Sequence, residues 1–157
     1  MNAILLDTNI WLDYHLGIRP GHQEAFQLIS LAIQQDIDLL IASHSLKVFW
    51  YLFWQSRKTA GKATMPIEDA SRIAKHAAWS ATEQIAEHTT VVGSDAADAW
   101  LALKMRSICD DYGDNLVVAA AMRAKPRLLV TNDQTLLSHC PVACATAADA
   151  LAFLELN

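Results

Sequence analysis

Basic residues are scarce in this sequence. Twelve Lys and Arg stand against 17 Asp and Glu, giving a net charge of −5 and an isoelectric point near 5.6. That balance excludes a broad basic surface gripping nucleic acid through many phosphates, so any such contact must be local or bridged by metal. Cysteine is sparse too: Cys109, Cys140 and Cys144 are odd in number and form no sequential framework, which excludes a disulfide scaffold. Cys140 and Cys144 flank Pro141 without two further ligands nearby, and read as buried thiols rather than a metal knuckle. No apolar run exceeds Val48 to Trp54, far short of the ~20 residues that span a bilayer. Met1 to Leu6 shows no basic region leading into a long apolar stretch, so the expectation is a reduced, cytoplasmic protein without a membrane. The five glycines and four prolines make no linker. They also make no G-x-G-x-x-G, G-x-x-x-x-G-K-[ST] or G-x-S-x-G, which removes support for dinucleotide enzymes, nucleotide triphosphatases and serine hydrolases. The six histidines lack the i, i+4 partner of a helical metal pair.

What the sequence has is apolar mass. Its 157 residues are 53% hydrophobic and 18% charged, which excludes disorder and suits one domain over 1–157. Short apolar runs of strand length recur at Ala3 to Leu6, Ile37 to Ala42, Thr89 to Val92, Arg127 to Thr131 and Val142 to Ala145. Between them, Gly21 to Gln35 and Pro66 to Ala86 keep their apolar residues on one face, as amphipathic helices do. Further helices are expected from near Ser43, from Ser94 with Asp95 and Asp98 in the first turns, from Asp114 to Ala124, and from about Thr146 to Leu156. Strands alternating with helices require crossover connections. The expected class is α/β, a three-layer sandwich around a five-stranded, mainly parallel sheet.

Ligands of such sheets sit beyond the carboxyl ends of the strands. There the first strand runs into Asp7, Thr8 and Asn9, and the fourth into Thr131, Asn132 and Asp133; Asp114 opens a helix where a carboxylate also serves as an N-cap. Three carboxylates within about 5 Å would repel by roughly 3 kcal/mol per pair at an effective dielectric near 20, so they do not all stay ionised unaided. A hard divalent cation, Mg²⁺ or Mn²⁺, relieves this and leaves positions open for water and phosphate oxygens.

Three segments, D-T-N-I-W-L-D from Asp7 to Asp13, D-N-L-V-V-A-A-A from Asp114 to Ala121 and L-V-T-N-D from Leu129 to Asp133, resemble the PIN domain in order and spacing. The resemblance implies a Mg²⁺- or Mn²⁺-dependent endoribonuclease similar to the VapC toxins of bacterial type II toxin–antitoxin pairs, leaving 5′-phosphate and 3′-hydroxyl ends. By motif match Asp7, Asp114 and Asp133 take the catalytic and metal-binding roles, with Thr8, Asn9 and Thr131 in support. One departure stands out. PIN nucleases usually carry a glutamate early in the helix after the second strand; here Lys47 and Val48 stand there, and no carboxylate occurs between Asp38 and Glu68. Asp111, one turn before Asp114, is the preferred substitute. A catalytically degenerate PIN-like module that binds RNA or protein is the alternative.

Lys47, Arg57, Lys58 and Lys62 form the main basic cluster and are the candidate contacts to an RNA backbone. Phe49, Trp50, Tyr51, Phe53 and Trp54 make their helix apolar on every side, so a partner is expected to cover it, a second copy in a homodimer or an antitoxin.

Overall fold

The computed structural model describes residues 2–156, and every expected strand is present. Among the described residues the chain order is β1 (Ala3–Leu6), α1 (Thr8–His15), α2 (His22–Gln34), β2 (Asp38–Ala42), α3 (Ser43–Gly61), α4 (Ile67–His88), β3 (Thr90–Val92), α5 (Ala96–Lys104), α6 (Tyr112–Ala124), β4 (Leu128–Val130), α7 (Gln134–His139), β5 (Cys144–Ala145) and α8 (Ala147–Glu155). The strands form one sheet in the order β3-β2-β1-β4-β5. All four pairings are parallel, with Leu5 opposite both Leu40 and Leu129.

Continuous apolar strands such as Ala-Ile-Leu-Leu in β1 are what a sheet covered on both faces demands. Alternate side chains feed two cores. Ile4, Leu6, Leu39, Ile41 and Val130 pack with residues of α1, α2, α3, α4 and α8 on one face. Ala3, Leu5, Leu40, Ala42 and Leu129 pack under α6 and α7 on the other. The alanines of α6, Ala119 to Ala121, are buried and small enough to let that helix lie close on the sheet.

Two helices were not expected. In α1 the apolar Ile10, Trp11 and Leu12 are consecutive, which hides the helical period, and α7 spans only 6 residues. Two caps also shift by a few residues. Asp111, not Asp114, caps α6, accepting from the backbone N–H groups of Gly113 (2.7 Å) and Asp114 (3.2 Å), which places Asp114 in the first turn. Asp95, not Ser94, caps α5 in a capping box with Asp98. Cys140 and Cys144 are half-buried rather than buried, because β5 is a two-residue edge strand; Cys109 is the buried thiol.

The connection from α3 folds α4 back along it, and this helix supplies much of the cover that the aromatic run lacked. Phe49 and Phe53 enter the core, Trp50 and Trp54 are half-buried, and Trp50 meets Trp79 of α4 edge-on at 5.9 Å. Tyr51 and Leu52 remain exposed.

Candidate active site at the switch point of the sheet

The chain runs outward from β1 through β2 to β3, then returns to the other side for β4 and β5. The order therefore reverses at β1, and the crevice beyond the carboxyl ends of β1 and β4 is the favoured ligand position. A cavity of about 340 Å³ opens there, lined by Asp7, Asn9, His44, Val48, Asp111 and Asp114 among others.

Asp7 is the best fixed of these. It follows β1 directly, is buried, and caps α1. Its carboxylate accepts from the Thr8 N–H (2.6 Å), the Asn9 side-chain amide (2.7 Å) and the Thr131 hydroxyl (2.7 Å). The Asn9 amide also reaches the Thr131 oxygen (3.2 Å), and the Asn9 carbonyl oxygen accepts from the Asn132 N–H (3.1 Å). Burial pushes Asp7 from 3.8 up to about 6; the Thr131 and Thr8 hydrogen bonds oppose this, and the charges of Asp114 and Asp133 add to it. Asp114 is half-buried and its carboxyl is likewise raised, first by burial and then by Asp111 and Asp133, against the Cys109 thiol, which holds it down. The expected carboxylates thus share one edge and feel one another. Asp133 is spent differently: it caps α7 through the Leu136 N–H at 2.9 Å, and its own N–H reaches the Thr131 oxygen at 3.1 Å.

Thr8, Asn9, Thr131 and Asp111 all lie at this edge. Of the basic cluster, Lys47 stands apart from Arg57, Lys58 and Lys62, which gather at the far end of α3. Lys47 lines a separate groove with Trp50 and Trp79, Lys58 another with Arg72 and Lys75, and Arg57 a third with Gly61. Arg57 to Lys62 stand about 20 Å or more along α3 from its first turn, because each residue adds about 1.5 Å.

Two residues were missed, His44 on the cavity wall and Cys109 behind Asp114. His44 Nε2 donates to the Gly113 carbonyl at 3.1 Å, and burial lowers the pKa of this ring. His44, Val48 and Leu52 recur at helical spacing on the cavity wall, a periodicity readable from sequence once the cavity is known. Cys109 donates its thiol to Asp114 at 3.3 Å, and burial raises its pKa.

Oxygen donors whose pKa values are raised by burial and by neighbouring carboxylates suit a hard divalent cation, whose charge would offset both penalties. Among the described residues no three His, Cys, Asp or Glu side chains already stand as a ligand cluster. The fit is therefore to an ion held by few carboxylates and completed by water, as Mg²⁺ commonly is.

A parallel α/β protein with an acidic cavity at its switch point is the class these features define. The sequence matches the PIN domain family over residues 3–135, and the chain belongs to that family. No curated protein matches the sequence. Its fold is shared with VapBC2 from Rickettsia felis, solved bound to a DNA fragment from the promoter of the pair: TM-score 0.63, 15% identity, 92% of this chain and 98% of that one. It is shared also with VapC20 of Mycobacterium tuberculosis, a toxin that cleaves the sarcin–ricin loop: TM-score 0.57, 16% identity, 80% of this chain and 86% of that one. No helix among the described residues is long and apolar enough to cross a membrane.

Proposed function

We propose that the protein is a divalent-cation-dependent endoribonuclease, the toxin of a type II toxin–antitoxin pair. The observation that carries the reading is the shared edge of Asp7 and Asp114, whose carboxyl groups line one cavity and are both raised, first by burial and then by neighbouring carboxylates: Asp114 and Asp133 for Asp7, Asp111 and Asp133 for Asp114. Membership of a family whose nucleases generally use divalent metals supports it. Asp7, Asp114 and Asp133 would hold Mg²⁺ or Mn²⁺. When bound, the cation neutralises these carboxylates and polarises a phosphodiester toward attack by water. The chain's own part is positional. Thr8, Asn9 and Thr131 fix both Asp7 oxygens before any ligand arrives, and Asp111 ties the first turn of α6 so that Asp114 faces the same cavity. A single RNA strand enters the open side of the cavity, which Val48 and Leu52 wall with apolar surface.

The proposed partners are an antitoxin protein and a second copy of the chain, meeting exposed apolar side chains such as Tyr51, Leu52, Trp79 and Trp100. A second reading, a module that binds RNA without cutting it, is favoured by one feature: Val48 stands on the cavity wall where a further acid would complete a ligand set.

The deciding experiment incubates the purified chain with a mixed RNA substrate and Mn²⁺, beside samples with chelator and with Asp7→Asn and Asp114→Asn. The nuclease reading expects cleavage that needs the ion and falls at least 100-fold in either variant. Ion-dependent RNA binding without cleavage supports the module instead.

A further inference from the structure

Of the three carboxylates that line the cavity, Asp111 is engaged as the cap of α6, and Asp7 and Asp114 are held very differently. Asp7 has three donors, whereas among the described residues the Cys109 thiol is the one side chain that hydrogen-bonds the Asp114 carboxylate. The thiol is itself fixed. The Asp111 N–H donates to Sγ at 3.5 Å, and the buried Asn115 amide donates to the Cys109 carbonyl at 2.8 Å. An ionised carboxylate only accepts, so the 3.3 Å contact from Sγ to Oδ2 of Asp114 is a donated S–H.

We infer that Cys109 is a positioning residue for this site: its thiol, held by the Asp111 N–H on a backbone that the Asn115 amide fixes, sets the rotamer of Asp114 and leaves the carboxylate oxygen free of Cys109 to face an incoming cation. The inference rests on the nuclease reading above and adds to it the group that orients its second carboxylate. Such outer partners fix ligand orientation, and their loss typically weakens metal affinity 10–100-fold. A hydrophobic thiol could fill the same space without this role, since Cys109 also packs with Met105 and Val117 in the second core. The two roles separate by chemistry: a filler needs volume, whereas a positioning residue needs a donor.

The test compares Cys109→Ser, which keeps the donor, with Cys109→Ala and Cys109→Val, which lose it, Val keeping the space filled. Mn²⁺ affinity is measured by calorimetry without RNA, with thermal unfolding of each ion-free variant alongside and Asp114→Asn as reference. The expected result is a loss of about tenfold or more in Mn²⁺ affinity for Ala and Val, and retention of most of it by Ser. Affinity equal to the parent in Val or Ala, a Ser variant as weak as Ala, or losses that simply track melting temperature would each overturn the inference. An Asp114→Asn protein that binds Mn²⁺ as the parent does would overturn the ligand role of Asp114, and the positioning role of Cys109 with it. An Asp114→Asn protein that has lost the ion, beside an unaltered Cys109→Val, would overturn the positioning role alone.

Discussion

The Thr131 hydroxyl donates a 2.7 Å hydrogen bond to Asp7, joining the carboxyl ends of β4 and β1 across 124 positions of sequence. That oxygen also accepts from the Asn9 amide at 3.2 Å and the Asp133 N–H at 3.1 Å, so one buried hydroxyl organises both acidic loops of the edge. It stands where the two halves of the sheet diverge, which makes the alignment of Asp7 and Asp133 a property of the fold rather than of any ligand.

Thr131→Val is nearly isosteric and removes only the polar role. Three groups would lose a hydrogen bond with the buried Thr131 hydroxyl, for the Asp133 N–H its only one among the described residues, and a buried polar group left unsatisfied costs about 1–3 kcal/mol before relaxation. The expected loss is about 2–4 kcal/mol in urea unfolding with an unchanged denaturant slope. Because the Thr131 hydrogen bond holds the Asp7 carboxyl down, the variant should also push Asp7 above about 6. An unaltered midpoint of unfolding would show that the hydroxyl organises nothing.

The raised carboxyl of Asp7 carries a pH signature. A group whose pKa is higher folded than unfolded contributes stability that is full below the unfolded value of 3.8 and is lost as pH rises through about 6. Ionised Asp7 therefore burdens the ion-free fold at neutral pH, by about 3 kcal/mol on this shift. His15 acts oppositely: burial lowers it from 6.5 to about 4, so its contribution is present above 6.5 and is lost as pH falls through about 4. The His15 effect is common to parent and Asp7→Asn and cancels from their difference. That difference should shift in favour of the variant by about 3 kcal/mol between pH 4 and pH 7.5, and Mn²⁺ should stabilise the parent alone. Parallel stability curves for the two proteins would contradict the raised pKa.

All five strands, and the placement of Asp7 at their carboxyl edge, were legible because they rest on contiguous signals: apolar runs such as Leu39 to Ala42, each ending in polar residues at the same edge. What stayed hidden depends on tertiary distance. His44 meets Gly113 69 positions away, and nothing local to His44 announces it. Asp111 and Asp114 are both plausible caps in the segment Asp-Tyr-Gly-Asp, and only the turn from Cys109 decides for Asp111. Lys47 and Arg57 to Lys62 look like one cluster in sequence, but α3 is rigid and carries Lys47 away from the others along its length.

Gly21 is required by close approach. A Cβ there would collide with the carboxylate of Asp13, which is buried and paired with Arg19 and with the Asn132 amide at 2.9 Å. Gly21→Ala would push Asp13 off both partners. Alanine in an accessible backbone conformation normally stabilises by a few tenths to 1 kcal/mol, so the sign of the effect is diagnostic. The expected outcome is a loss of about 1–3 kcal/mol by thermal unfolding, since a buried charge is left incompletely paired. Asp13→Ala removes the atoms that the new Cβ would meet, so Gly21→Ala should cost little further in the double variant, and additive losses would place the clash elsewhere.

Val48 decides how the site differs from a fully acidic one. On α3 the stripe His44, Val48 and Leu52 faces the carboxylate cavity, while Lys47 faces the groove beside Trp79. Neighbouring helical positions diverge by about 100°, so Val48→Glu adds an oxygen ligand to the cavity, and Lys47→Glu adds a carboxylate, with a larger change of net charge, without reaching it. Val48 is 39% exposed, and its replacement removes little buried surface. The new carboxylate is a fourth anion near Asp7, Asp114 and Asp133. Without metal it raises their mutual repulsion, and with metal all of them share one cation, so the gain in Mn²⁺ affinity should be modest, about tenfold or less, equivalent to about 1.4 kcal/mol. Calorimetry with Mn²⁺ and cleavage of mixed RNA by parent, Val48→Glu and Lys47→Glu distinguish three situations. Tighter binding and faster cleavage in Val48→Glu alone identify a weakened nuclease. Cleavage that appears only in Val48→Glu, from a parent that cuts nothing, identifies a binding module one residue removed from an enzyme. Equal behaviour of all three proteins places the cation where Val48 does not reach, and then Asp111, already on the cavity wall, is the acid whose removal by Asp111→Asn should lower Mn²⁺ affinity.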